Sequence, residues 1–273
     1  MLSFLPLGRN TLASNSENLG SSDSHCFEHT GDIQDTDCAI SYQQRAVEYT
    51  PSGHGDYASY FNNLGISYAC YFVHNGHLWD IDHAILHLQK AVESTPPGHD
   101  DLPCRLNNLG NSYLCRFKHT GNLQDIDHAI LHHQRSVEFT PSGHADLPRW
   151  FHSLGMAYLY HFQHTGDWQD IDHAILHHQR GVEYTSFEHT DHVCYLKNLG
   201  NSYAKHSEYI GNLQDINHAI SNSNIPTPKC TPLAISGESN NILNTALCIA
   251  SGTSVQSSQE NLLNGRVLFD CVL

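Results

Sequence analysis

Basic side chains are scarce. The 273 residues hold 13 Lys and Arg against 28 Asp and Glu, a net charge of −15. Phosphate contacts need clustered Lys and Arg, so nucleic acid is excluded as a partner. Long apolar runs are missing too, so no stretch reads as a membrane-spanning helix and no membrane partner is expected. The start, Met1-Leu2-Ser3-Phe4-Leu5-Pro6, is too short and too soon broken by proline for a signal peptide. A cytoplasmic location follows by default. The nine cysteines are odd in number and include no C-x-x-C pair. That favours free intracellular thiols over a disulfide framework. There is no Gly-rich phosphate loop, no G-x-S-x-G and no H-E-x-x-H. The chain therefore reads as no enzyme, and no cofactor is implied.

What the chain does have is a phrase that returns. A first glycine falls at Gly20, Gly65, Gly110, Gly155 and Gly200, a constant step of 45 residues. A second keeps the same step at Gly31, Gly76, Gly121, Gly166 and Gly211, and an Ala-Ile pair does so from Ala39-Ile40 to Ala219-Ile220. A fixed period of this size marks a stacked-repeat solenoid.

Each unit reads as two helices. Around Gly110, the residues Leu102, Leu106, Leu109, Tyr113 and Phe117 recur at three- and four-residue spacing and form one apolar stripe. Asp101 is the expected N-cap, with Pro103 in the first turn. Gly110, at the edge of the stripe in mid-helix, marks a close helix contact. Gly121 is the expected left-handed C-terminal cap. The second helix is expected to start at Asp125 as N-cap, to carry Asp127 in its first turn, and to turn Ala129, Ile130, His133, Ser136 and Val137 inward. Pro141 stops it, and Pro141-Ser142-Gly143-His144 turns into the next unit.

Leu109, Gly110 and Tyr113 on the first helix, with Ala129, Ser136 and Pro141 on the second, resemble the tetratricopeptide pattern. The resemblance covers residues 18 to 221. It implies an all-α, right-handed α-solenoid of stacked antiparallel helix pairs. The units are longer than the usual 34 residues, with about seven extra between the helices and about four between units. Units of this length resemble fungal tetratricopeptide arrays that often precede a CHAT protease-like domain. No CHAT-like segment follows here.

Three sets of columns bear on function. Acids recur at Asp80, Asp125, Asp170 and Asp215, and at Glu48, Glu93, Glu138 and Glu183. They read as a solvated surface. Two residues before the first glycine stand Asn18, Asn63, Asn108, Ser153 and Asn198. This column points away from the apolar stripe, toward the inner, concave surface. Asn62 and Asn107 precede it, and Asn111 and Asn201 follow one turn along. An amide both donates and accepts, so a ladder of them could hold an extended peptide backbone. Asn62, Asn63, Asn107, Asn108, Asn111, Asn198 and Asn201 are the candidate peptide-binding residues. The competing reading is that they bridge neighbouring helices.

Histidine is abundant, with 23 residues. His83, His128, His173 and His218 form one column, and His87, His132 and His177 a second, one turn on. Such i, i+4 pairs can bind Zn²⁺ or Cu²⁺, but no third ligand recurs beside them, so no metal site is assigned. His133 and His178 fall on the inner face and read as core imidazoles.

Residues 1–17 lie outside the period and read as a disordered N-terminus. In the first unit the first helix is decayed, with Asp23 in the tyrosine position. Residues 18–221 hold about five units, the first and last incomplete. Residues 222–273 are rich in Ser and Asn and read as a mostly disordered tail. The period stops in mid-helix, as expected if the sequence is a truncated or mis-spliced gene product. The expected function is a non-catalytic protein-protein interaction scaffold that binds a protein or peptide. The alternatives are a fragment of a larger tetratricopeptide–CHAT signalling protein and a histidine-rich metal-binding protein.

Overall fold

The computed structural model describes residues 11–20, 33–211, 215, 217 and 218. The tail at 222–273 and the decayed stretch around Asp23 lie outside the described residues. The described residues are helical and contain no strand. They fall into two units, divided after Phe139.

The first unit holds α1 (11–20), α2 (Ile33–Tyr49), α3 (Tyr57–Asn75), α4 (Leu78–Glu93), α5 (Leu102–Thr120) and α6 (Leu123–Glu138). Helix α3 packs between α2 and α4, and α5 between α4 and α6. Helix α1 begins inside the stretch that the repeat pattern leaves out. Its Ala13 is buried beside Ala46 and Tyr60. The second unit holds α7 (Leu147–Thr165), α8 (Trp168–Glu183) and α9 (His192–Ile210), with α8 against both α7 and α9.

The apolar stripe forms the core as its spacing requires. Leu102, Leu106, Leu109, Tyr113 and Phe117 are all buried. On α6, Ala129, His133 and Ser136 are fully buried, while Ile130 and Val137 are half-buried. Gly110 has the expected reason to be glycine. A Cβ built there would lie 2.7 Å from the His133 ring. The same closeness recurs at Gly65 beneath Leu88 and at Gly155 beneath His178. Only a residue without a side chain lets the two helices of a pair approach this far.

Gly121 ends α5 in the left-handed conformation at φ 71°, with its N–H donated to the Phe117 carbonyl. The turn into the next pair is closed by the His144 N–H on the Pro141 carbonyl at 3.1 Å, with Gly143 at φ 88°.

The helix starts differ from the sequence reading. Asp101 sits at the N-cap position but makes no side-chain cap. Its carboxylate accepts from Arg105 instead, and His99 Nδ1 accepts the Asp101 N–H. Helix α6 starts at Leu123 with Asn122 as the cap, whose Oδ1 accepts from Gln124 N–H at 3.1 Å. Asp125 is therefore in the first turn, not at the cap. A guanidinium, Arg105 for Asp101 and the half-buried Arg116 for Asp125, bids for each carboxylate more strongly than a backbone N–H does.

The amide ladder and the tyrosine stacks

The candidate asparagines do two different things. Asn63 Nδ2 donates to Glu17 at 2.7 Å, and Asn62 Nδ2 donates to Asn63 Oδ1 at 3.3 Å. Asn108 Nδ2 donates to Asn62 Oδ1 at 3.1 Å. In the second unit, Asn198 Nδ2 lies 3.5 Å from His152 Nε2. The pairs Asn63–Glu17, Asn108–Asn62 and Asn198–His152 all span 46 residues, so each joins a first helix to the one before it. These side chains are half-buried, and Asn201 is exposed.

Asn107 and Asn111 behave otherwise. Asn107 is fully buried, and neither of its amide atoms finds a hydrogen-bond partner among the described residues. Asn107 lies one turn before Gly110, so it shares the glycine's buried face rather than the open one. Asn111 is also buried. It lines a cleft of about 10 Å³ with Ile66, Ala69, Leu88, Asn108, Ser112 and Cys115, room for one water. Both are more enclosed than Asn62, Asn63, Asn108 and Asn198, which are half-buried.

The histidine columns stack on the tyrosine of their own repeat. Tyr113 has His128 at 4.9 Å and His132 at 5.7 Å, the latter within 9° of parallel. Tyr158 has His173 at 4.9 Å and His177 at 5.7 Å, and Tyr68 has His83 and His87 at 5.5 and 5.6 Å. His218 covers Tyr203 at 5.1 Å. Burial pushes the second-column imidazoles His87, His132 and His177 down to about 4, with lesser help from nearby positive groups. Their Nδ1 atoms are buried without a hydrogen-bond partner among the described residues. His83 Nδ1 lies 2.9 Å from the Trp79 carbonyl. Among the described residues, no group of three or more His, Cys, Asp or Glu is placed to hold a metal ion.

The hydroxyls of these tyrosines tie repeats together. Gln44, Gln89 and Gln179 donate to Tyr68, Tyr113 and Tyr203 at 2.6, 2.7 and 2.6 Å. Burial raises all three phenols above their ordinary value. The sequence carried a signal for this link, because glutamines recur at Gln44, Gln89, Gln134 and Gln179 in the same step. Only the 24-residue reach to the next tyrosine was hidden.

His133 and His178 are fully buried, as their inner positions require. Burial holds His178 well below the ordinary value, and His152 and His177 add to it. Ser202 Oγ donates to the Asn198 carbonyl, so it can only accept from His178 Nδ1, at 2.9 Å. His178 is thus the neutral Nδ1–H tautomer.

The aspartate column is not a solvated surface. Asp80, Asp125, Asp170 and Asp215 are all buried. Arg116 clasps Asp125 at 2.6 and 3.0 Å and reaches the exposed Asp82 of the preceding repeat at 2.6 Å. His161 Nδ1 meets Asp170 at 2.6 Å. His206 meets Asp215 at 2.7 Å and Asp172 at 3.3 Å. The Asp125 contact, foremost, raises Arg116 further above its usual range. The glutamates Glu48, Glu93, Glu138 and Glu183 are the exposed acids.

Comparison with solved structures places this architecture. BtubC (BKLC) from P. vanneervenii matches over 93% of this chain and 97% of its own, at 13% identity and a TM-score of 0.51. A protein of Podosopora anserina, described as a kinesin light chain with nearly identical TPR-like repeats, matches over 89% and 99% at 14% identity and a TM-score of 0.55. The fold is tetratricopeptide-like. It is an all-α solenoid of stacked helix pairs, as the repeat arithmetic requires. No family model matches the chain, and no curated protein does. Within the tetratricopeptide-like array, the five described cysteines, Cys38, Cys70, Cys104, Cys115 and Cys194, form no disulfide among the described residues. No helix among the described residues is long and apolar enough to cross a membrane.

Proposed function

We propose that the chain is a non-catalytic scaffold that holds an extended peptide, or an extended segment of a partner domain, along its first helices. The observation that carries this is the open half of the amide ladder. Asn108 and Asn198 use Nδ2 within the protein. That leaves each Oδ1 for a ligand's backbone N–H. Asn62 and Asn63 extend the row in the first unit, and the exposed Asn201 does so in the second. Amides at repeat spacing grip a backbone without reading its side chains, so specificity lies in the flanking positions. The working array is residues 18–221, to which α1 adds Glu17 as the partner of Asn63. An acidic, enzyme-motif-free surface favours a protein ligand over a nucleic acid.

The test is selection of phage-displayed peptides on the full chain. Binders should lose affinity when Asn63, Asn108 and Asn198 are all replaced by alanine, while helical content by circular dichroism stays at the wild-type level. Unchanged binding by the triple variant would mean that the ladder serves only to join repeats.

A further inference from the structure

His206 stands two repeats after Arg116, in the same register position. From α5, Arg116 holds Asp82 on α4 and Asp125 on α6. From α9, His206 meets the corresponding pair. Its Nδ1 lies 2.7 Å from Asp215, and its Nε2 lies 3.3 Å from Asp172 on α8. The side chains of His206 and Asp215 are enclosed, at 14% and 10% exposure, whereas that of Asp172 is 52% exposed. The two clasps differ in chemistry. A guanidinium stays charged and carries five N–H donors. An imidazole has a donor on both nitrogens only when it is protonated. A carboxylate at each nitrogen therefore fits the imidazolium. The neutral ring keeps one N–H, and the enclosed Asp215 claims it, because a buried carboxylate without a donor is costly. A bare Nε2 then sets its lone pair against Asp172.

We propose that His206 is a proton-operated clasp. As the imidazolium it ties α9 to α8 through Asp172. On losing its proton as pH rises it releases Asp172, keeps Asp215, and loosens α9. Histidine changes charge between about pH 5 and 8, so the arm is present on the acid side of that range and lost on the alkaline side. The neighbours are accounted for. From α8, His178 lies against Ser202 of α9 and is held neutral by burial, and Gln179 holds the Tyr203 phenol, which burial raises. From α7, His152 beside Asn198 is pushed down to about 4, and Arg149 is a permanent charge. On α9, Lys205 pairs with Glu208. His161 on Asp170 joins α7 to α8 and not α8 to α9. His218 stacks on Tyr203 and receives its own control below. Asn198 and Asn201 also lie on α9, so the clasp would tune the second unit's share of the amide row. That consequence rests on the groove reading; the clasp itself does not.

The test follows hydrogen exchange in the full chain at about pH 6 and pH 8. Protection factors remove the intrinsic effect of pH and report local opening of a helix. Protection of α9 relative to α5 should fall by about two- to fivefold as pH rises, the range for a partly exposed ion pair. His206→Arg copies the permanent clasp and should abolish that fall. Asp172→Asn should abolish it too, because an amide satisfies Nε2 in either state. His218→Phe keeps a ring on Tyr203 and should leave the fall in place. An undiminished fall in the His206→Arg and Asp172→Asn variants would overturn the proposal, as would its loss in His218→Phe. Ring ¹⁵N spectra that show a bare Nε2 on His206 at about pH 6 would overturn it as well.

Discussion

Gly110 gives up about 1 kcal/mol of helix propensity, yet the step of the repeat keeps a glycine there. The fully buried His133 ring takes the space a Cβ would need. Gly110→Leu should therefore overpack the pair and lower stability by about 1–3 kcal/mol, read as a fall in the urea midpoint. Truncating the partner in the same chain, as His133→Ala, should recover part of that loss. Additive losses in the double-mutant cycle would show that the ring and the glycine do not compete for one space. The same logic explains why the neighbouring positions matter less than they look in sequence. Asn107 and Asn108 are adjacent letters, but about 100° of helix separates an enclosed amide from one at the surface.

At the scale of the helix, the recurring Asp at the start of each second helix is a clasp rather than a cap. Arg116→Ala would leave Asp125 buried without its cation. The cost should be about 1.5–3 kcal/mol, the range for hydrogen bonds to charged groups. Asp82→Ala removes only the exposed end of the same bridge and should cost about 0–1 kcal/mol. Urea midpoints of the two variants separate these outcomes, and equal losses would show that the buried arm is no stronger than the exposed one. This clasp marks where sequence reading stopped. Helix number, the left-handed stop at Gly121 and the turn at Pro141–His144 are local, so spacing and residue type reveal them. The carboxylate of Asp125 is claimed by a side chain nine residues earlier, on another helix. A cap signature cannot distinguish that from Asn122 three positions before it. For the candidate site, the register of the asparagine column was legible. The burial of Asn107 and Asn111 was not, because it depends on how closely the glycine lets the next helix approach.

For the whole molecule, the buried imidazoles set the response to acid. His87, His132, His152 and His177 are each pushed down to about 4, and His178 well below its ordinary value, all chiefly by burial. An unfolded histidine titrates near pH 6.5. The unfolded chain therefore takes up these protons first. The stability these groups contribute is complete above about pH 6.5 and is lost as pH falls from there toward 4. His178, wholly enclosed, should contribute a slope of about 1.4 kcal/mol per pH unit in that window. The stacked His87, His132 and His177 keep a ring edge near water and should each contribute less. Replacing these three by phenylalanine keeps a ring on Tyr68, Tyr113 and Tyr158 but removes the titrating nitrogens. His178→Leu removes the enclosed one. The urea midpoint of wild type should fall between about pH 6.5 and 4.5, and it should fall distinctly less in the variant carrying all four substitutions. Parallel profiles for the two proteins would show that the acid response does not come from the tyrosine stacks or from His178.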